Sequence, residues 1–155
     1  MYMVVYIYEL TKETGLFGGN MKLKFQKVYE EQKHSVYAYL LYMTKDVQLA
    51  EDLSQETFLK IFLNLGRFKE ECSVKTWTLR IARNTFVTYA RKKRPELLKE
   101  QDRTILLLRE YENLSYEEIA MILETNVGVV KSRIYRARKK FKELYQHERR
   151  CGENV

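Results

Sequence analysis

Residues 113–145 read NLSYEEIAMILETNVGVVKSRIYRARKKFKELY, and the rest of the chain is organised around them. Ser115 and Glu118 have the spacing of a capping box, in which the hydroxyl accepts from the amide three residues on and the carboxylate reaches back. This spacing predicts a helix that begins directly after Ser115. The apolar pattern of that helix breaks at residues 124–126, and a second helix is predicted to begin near Val127. The stretch therefore predicts two helices joined by a short turn.

The second helix is predicted to be amphipathic and strongly basic. The residues predicted to pack are Val127, Val130, Ile134, Ala137, Phe141 and Leu144, which recur with the period of an α-helix. Between residues 127 and 142 there are seven Lys or Arg side chains and no Asp or Glu. Such a helix suits the major groove of DNA, with its flanks against phosphates. A solvated basic face on an ordinary core helix is the alternative, but the capped helix, the turn and the second helix together favour DNA binding.

The composition is that of a folded protein with a polyanionic partner. The chain has 155 residues, 45% of them hydrophobic, which is enough for one modest core or two small ones. Its 28 Lys and Arg against 21 Asp and Glu give a formal net charge of +7, which favours a polyanion over an acidic small substrate. Cys72, Cys151 and two histidines form no metal-binding pattern. We expect no metal, no cofactor and a reducing cytoplasm.

The opening segment MYMVVYIYEL is apolar but too short to span a bilayer, and it lacks a basic leader and a cleavage site. We expect no signal peptide and no membrane insertion, and we treat residues 1–20 as an extension of uncertain role. One hypothesis is that codons for residues 18–20 form a ribosome-binding site and that Met21 is the true start. A poorly ordered or strand-like arm is the alternative.

From Met21 onward the pattern is helical almost throughout, because Pro95 is the only proline and glycines are few. A first helix is predicted over about 25–43, before a break at residues 44–46. A second helix is predicted to pack through Ala50, Leu53, Thr57, Ile61, Phe62 and Leu65. Three polar residues lie on its opposite side and are predicted to point outward: Asp52, Gln55 and Glu56.

A third helix is predicted over about 74–94, after a loop at 67–73. Its predicted packing residues are Val74, Trp77, Ile81, Ala82, Thr85 and Tyr89, and its outward polar residues are Arg80, Arg83, Asn84, Arg91 and Arg94. Aromatic rings beside a cationic face suit single-stranded nucleic acid, because bases stack on rings while cations follow the backbone. The candidate rings are Phe68, Trp77, Phe86 and Tyr89. Taken singly, each ring is better explained by a place in the core.

The predicted architecture is all-α with two helical domains. Pro95 ends the third helix, and Ile105, Leu106 and Leu108 begin the C-terminal domain. The predicted boundaries are an extension at 1–20, a first domain at 21–94, a linker at 95–101, a second domain at 102–147 and a tail at 148–155.

The chain resembles the extracytoplasmic-function sigma factors, a subfamily of the sigma-70 factors of bacterial RNA polymerase. The resemblance lies in AEDLSQETFLKIF at 50–62, KTWTLRIARN at 75–84, and LSYEEIA followed by VGVVKSRIYRARKK within 114–140. The last stretch alone is also similar to response regulators, but the three in this order are specific. The resemblance implies that 21–94 is sigma region 2, which melts promoters, and that 102–147 is sigma region 4, a helix-turn-helix.

The resemblance also implies partners and site residues. Asp52, Gln55 and Glu56 match the residues that dock on the clamp coiled coil of core RNA polymerase. The loop 68–73 and the third helix would bind the −10 element of promoter DNA and hold an extruded base, through Phe68, Trp77, Arg80, Arg83, Asn84, Thr88 and Arg91. The last helix would bind the −35 element, with Val129, Ser132, Arg133 and Arg136 near base edges and Lys131, Arg138 and Lys139 on the backbone. An anti-sigma factor is a further expected partner, and no catalytic residue is implied.

The sequence departs from the family pattern at three places. Glu124 stands where glycine is usual and Thr125 where an apolar residue is usual, while Thr88 replaces a frequent aspartate. The linker is also short and lacks a Leu-Pro pair. Its seven residues reach at most about 25 Å, whereas the two promoter elements lie on the order of 50–60 Å apart. The hypotheses are a compact variant with unusual promoter spacing and an activity-impaired derivative with a shortened linker.

Two other classes of function compete with this interpretation. A stand-alone helix-turn-helix regulator would account for the last third of the chain only, and it would predict palindromic sites. An enzyme such as a recombinase would need an activated nucleophile. Ser54, Ser73 and Tyr89 are nucleophiles in type only, because no activating group is evident beside them.

Overall fold

The computed structural model describes Glu9 and residues 19–152, with side chains described outside 99–103 and 144–152. The other residues of the predicted extension, and 153–155 of the predicted tail, lie outside the described residues. The chain divides between Lys99 and Glu100 into an N-terminal and a C-terminal unit. Every described element is helical, which confirms the all-α prediction.

In the described part of the N-terminal unit, residues 19–99, three long helices pack against one another. They are α1 (Gly19–Thr44), α2 (Val47–Asn64) and α3 (Val74–Lys93). One turn of 3₁₀ helix, Leu65–Arg67, follows α2. The predicted first helix is correct in position, although it begins six residues earlier than the predicted Phe25.

The break between α1 and α2 is as predicted, and its cause is local. Lys45 has a positive φ of 54°, a conformation that cannot continue a right-handed helix. Asp46 is the N-cap of α2, because its carboxylate accepts a hydrogen bond of 3.1 Å from the Leu49 amide. The left-handed residue therefore ends α1, and the cap starts α2 directly after it.

Aromatic and aliphatic side chains from all three helices form the core of the N-terminal unit. Phe25 meets Phe62 edge to face, with ring centroids 5.1 Å apart, and Tyr29 meets Phe58 at 4.8 Å. Tyr39 is fully buried, and this burial raises the pKa of its phenol. The fully buried side chains also include Val36, Leu40, Leu53, Ile61, Leu79 and Phe86.

The predicted packing face of α3 is partly wrong. Trp77 and Tyr89 are only half-buried, whereas Leu79, Phe86 and Ala90 are fully buried. The buried face is rotated from the predicted one because threonines take part in it. The Thr78 hydroxyl, for example, donates to the Lys75 carbonyl at 3.0 Å, so this polar side chain is buried with its hydrogen bond formed. Phe86 is therefore a core residue, and its prediction as a base-stacking ring is wrong.

The C-terminal unit contains three further helices, preceded by a 3₁₀ segment at Pro95–Glu100. They are α4 (Gln101–Leu106), which continues as a π-helical turn at Leu107–Tyr111, α5 (Tyr116–Leu123) and α6 (Val127–Gly152). Its fully buried core residues are Ile105, Leu108, Ile119, Ile122 and Val130, and Ile134 is 2% exposed. Phe141 was predicted to pack but is 66% exposed, because α6 extends past the short helices that cover its first turns.

Candidate nucleic-acid interface

The three polar residues predicted to dock on polymerase lie on one side of α2. Asp52 and Glu56 are exposed and Gln55 is half-buried, while Leu53 and Thr57, on the packing side of α2, are buried. Both carboxylates have local partners: the Gln48 amide approaches Asp52 Oδ1 at 3.4 Å, and Lys60 Nζ lies 2.7 Å from Glu56 Oε1. The face is therefore accessible, polar and held by contacts within one helix.

The loop between α2 and α3 brings two aromatic rings together. Ser73 caps α3 by accepting from the Thr76 amide at 3.0 Å, and Trp77 follows one turn later. The rings of Phe68 and Trp77 have centroids 4.7 Å apart and planes inclined by 30°. Both rings are half-buried, so each keeps surface on which a base could stack.

A cleft of about 550 Å³ lies beside Trp77, between α2 and α3. Its lining consists of Lys60, Asn64, Arg67, Trp77, Ile81, Asn84, Thr85 and Thr88. The lining combines one aromatic ring, one aliphatic side chain, two amides, two hydroxyls and two cations. This chemistry fits a nucleobase, whose faces are apolar and whose edges form hydrogen bonds.

The structure brings together some of the residues predicted to bind the −10 element and separates others. Trp77, Asn84 and Thr88 line the cleft. Arg83 donates to Asn84 Oδ1 at 3.0 Å, so it orients an amide of the cleft wall. Arg80 and Arg91 are exposed on α3 but do not line the cleft, a position that suits the backbone of a bound strand.

Sequence reasoning missed five residues of this cleft: Lys60, Asn64, Arg67, Ile81 and Thr85. Lys60 donates to Thr85 Oγ1 at 3.2 Å, and Asn64 Nδ2 donates to the Lys60 carbonyl at 2.8 Å. A signal was present for two of them, because Lys60 and Asn64 follow Glu56 at successive four-residue steps on the same side of α2. The pairing of α2 with α3 was not available from the sequence.

In the C-terminal unit, the predicted capping box is confirmed. Ser115 Oγ accepts from the Glu118 amide at 3.1 Å, and the Glu118 carboxylate accepts from the Ser115 amide at 2.9 Å. Glu124 ends α5 in the left-handed region, at φ 52° and ψ 48°. Asn126 Oδ1 then accepts from the Val129 amide at 2.9 Å, so the predicted cap of α6 is also present. These contacts fix the turn between α5 and α6.

The residues predicted to bind the −35 element lie on α6 and differ in exposure. Val129 and Arg133 are half-buried, and the exposed residues are Lys131, Ser132, Arg136, Arg138 and Lys139. Ser132 Oγ donates to the Gly128 carbonyl at 3.0 Å. Two cations have contacts within the unit: Arg138 Nε donates to Glu110 Oε1 at 3.1 Å, and Lys131 Nζ lies 5.9 Å from the ring centre of Tyr116. Arg136 has no such contact among the described residues.

Among the described residues, no group of three His, Cys, Asp or Glu side chains could hold a metal ion. In the same part of the chain, no helix is long and apolar enough to cross a membrane.

The chain is thus of the class that joins a helical domain, here with a cleft lined by aromatic, polar and cationic side chains, to a helix-turn-helix. Family models agree: Sigma-70 region 2 matches residues 28–96, and Sigma-70 region 4 matches residues 96–141. The RNA polymerase sigma-H factor of Pseudomonas aeruginosa is 30% identical over 169 residues, covering 81% of this chain and 88% of that protein. The extracytoplasmic-function (ECF) sigma factor SigM of Bacillus subtilis is 29% identical over 157 residues, covering 79% and 96%. The chain belongs to the ECF sigma factors.

Solved structures show the same fold. The sigma factor RpoE, in complex with the anti-sigma factor NepR from Bartonella quintana, has a TM-score of 0.71 at 22% identity and covers 79% of this chain and 97% of its own. CnrH, in complex with the cytosolic domain of CnrY, has a TM-score of 0.67 at 20% identity and covers 84% and 91%. The protein is accordingly a promoter-directing sigma factor of RNA polymerase. A stand-alone helix-turn-helix regulator is not favoured, since residues 28–96 carry their own sigma domain.

Proposed function

We propose that the two units divide promoter recognition between them. The first, from residue 21 to 94, binds core polymerase and the −10 element. The second, from 102 to 147, binds the −35 element, and residues 95–101 link them. The observation that carries this proposal is the cleft between α2 and α3, because its ring, amides and cations suit an unpaired base next to a backbone.

The −10 step is argued from the chemistry of that cleft. A base that leaves the duplex loses stacking, and the exposed faces of Phe68 and Trp77 can replace it. Asn84 and Thr88 offer polar groups to the base edge, and Arg80 and Arg91 offer charge to the strand. Melting of the duplex breaks no covalent bond, so the chain acts as a DNA-binding subunit and not as an enzyme.

The −35 step uses α6 in the major groove. Counted from Val129, the residues Ser132, Arg133 and Arg136 stand at i+3, i+4 and i+7, so the four share one side of α6 and can approach base edges together. Lys131, Arg138 and Lys139 lie on the flanks and supply backbone contacts, although Arg138 must share its guanidinium with Glu110. Together the cations make this contact dependent on salt.

We propose that Asp52, Gln55 and Glu56 dock on the clamp coiled coil of the polymerase. Asp52→Lys reverses an exposed charge on this face and should weaken binding to purified core polymerase at least about tenfold, because like charges at an interface are costly. Glu31→Lys is the matched control, since Glu31 is exposed on α1 and has only a 4.0 Å contact with Lys27. Equal affinities of the two variants would remove the assignment.

Two further proposals follow from the class of protein. Because RNA polymerase acts in the cell interior, we place the chain in the cytoplasm. We also propose that an anti-sigma factor controls it, since RpoE of Bartonella quintana and CnrH were both solved with such partners. Co-purification of the tagged chain from its own cells would identify that partner.

A further inference from the structure

Lys60 stands between the proposed polymerase-docking face and the cleft. Its ammonium lies 2.7 Å from Glu56 Oε1, on the docking face, and it donates to Thr85 Oγ1 at 3.2 Å, on the cleft wall. Lys60 itself lines the cleft. One side chain therefore contacts both the docking face and the cleft wall.

The charge of Lys60 is masked in the free chain. An ammonium group has three N–H donors, and two of them are taken by Glu56 and Thr85, which leaves one for a ligand. The Glu56 carboxylate also offsets the positive charge and repels a phosphate that approaches the same group. Both side chains are partly exposed, at 39% for Lys60 and 48% for Glu56, so the pair can be broken at small cost.

We propose that Lys60 is a further DNA-binding residue of the cleft, and that Glu56 restrains it until polymerase docks. This inference rests on the proposed function, because it needs Glu56 in the docking face and single-stranded DNA in the cleft. When Glu56 turns to a cation of the polymerase, Lys60 presents its full charge to the DNA strand. The cleft thereby binds DNA more tightly in the holoenzyme than in the free chain.

The test is a double-mutant cycle in the full-length chain without polymerase. The probe is a fluorescent oligothymidine strand, and its binding is followed by anisotropy at several salt concentrations. Glu56→Gln keeps the shape of the side chain but removes its charge, so it should tighten binding about two- to fivefold. It should also steepen the salt dependence by up to about 0.7, the value for one phosphate contact on a single strand.

The controls separate this contact from general electrostatics. Asp52→Asn removes the same charge from the same face but has no contact with Lys60, so it should tighten binding less than Glu56→Gln. In a chain that carries Lys60→Met, Glu56→Gln should tighten binding no more than Asp52→Asn does, while DNA contacts elsewhere cancel in the cycle. A gain from Glu56→Gln that equals that of Asp52→Asn, or that is undiminished with Lys60→Met, would overturn the inference, as would no gain at all.

Binding of the wild-type chain to core polymerase is measured in parallel. If the wild type binds core polymerase and the cycle is additive, only the role of Lys60 fails. If the wild type does not bind core polymerase, the proposed function fails, and the cycle still reports whether Glu56 masks Lys60.

Discussion

At the turn between α5 and α6, Glu124 adopts a left-handed conformation that side chains with a Cβ atom disfavour. Its amide donates to the Met121 carbonyl at 3.4 Å and that of Thr125 donates to the Ala120 carbonyl at 3.0 Å, so the turn still satisfies the end of α5. The left-handed region costs roughly 1–2 kcal/mol for such a residue and almost nothing for glycine. Glu124, at a position where glycine is usual, therefore lowers the stability of the turn but leaves the fold intact.

We expect Glu124→Gly to stabilise the helix-turn-helix. Glu124→Ala is the matched control, because it also removes the side chain but keeps the Cβ atom in the same conformation. The glycine variant should be more stable than the alanine variant by about 1 kcal/mol. Hydrogen exchange of the α5 and α6 amides measures this difference, and equal protection in the two variants would show that the turn is unstrained.

The sequence predicted the residues whose role depends on neighbours close along the chain. Ser115 and Asn126 cap their helices as predicted, because a cap is set by spacing of three residues along the chain. Lys60 and Thr85 were missed, because their hydrogen bond joins residues 25 positions apart. Only the packing of α2 on α3 brings them together.

Among the elements, α6 was predicted well and α3 less well, for a physical reason. The basic and apolar sides of α6 differ strongly in character, so its buried residues Val130 and Ile134 follow from periodicity. On α3, aromatic, aliphatic and threonine side chains surround the helix, and periodicity gave a face that included Trp77. The Trp77 ring lines the cleft and is only half-buried. The local sequence pattern alone does not distinguish such a residue from a core residue.

We expect the cations of α6 to contribute unequally to DNA binding. Arg136→Ala should weaken binding to a −35 duplex more than Lys140→Ala, because we propose that Arg136 lies near base edges, and a good bidentate contact is worth about 1–3 kcal/mol. Both residues are exposed, so neither change should unfold the unit. Binding titrations on matched and substituted duplexes at several salt concentrations measure the difference. Equal losses with equal changes in salt slope would mean that both residues touch only phosphate.

For the whole molecule, we expect the predicted linker, residues 95–101, to limit which promoters can be used. Residues 95–100 form a 3₁₀ helix, which rises about 2.0 Å per residue, whereas an extended chain spans about 3.3–3.6 Å. The family models for region 2 and region 4 meet at residue 96, so no unmatched residue lies between the two matches. A compact variant and an impaired derivative differ in the promoter spacing they accept, which transcription measures directly.

We conclude that this chain directs core RNA polymerase to promoters by binding the −10 and the −35 element at the same time. The most direct test is transcription by purified core polymerase with and without the chain on fragments of its genomic DNA, with the 5′ ends of all transcripts mapped. We predict start sites that appear only with the chain and that share a −10 and a −35 motif at one constant spacing, which also gives the spacing that the short linker permits. Start sites unchanged from those of core polymerase alone, or sites that share one motif without the other, would contradict the claim.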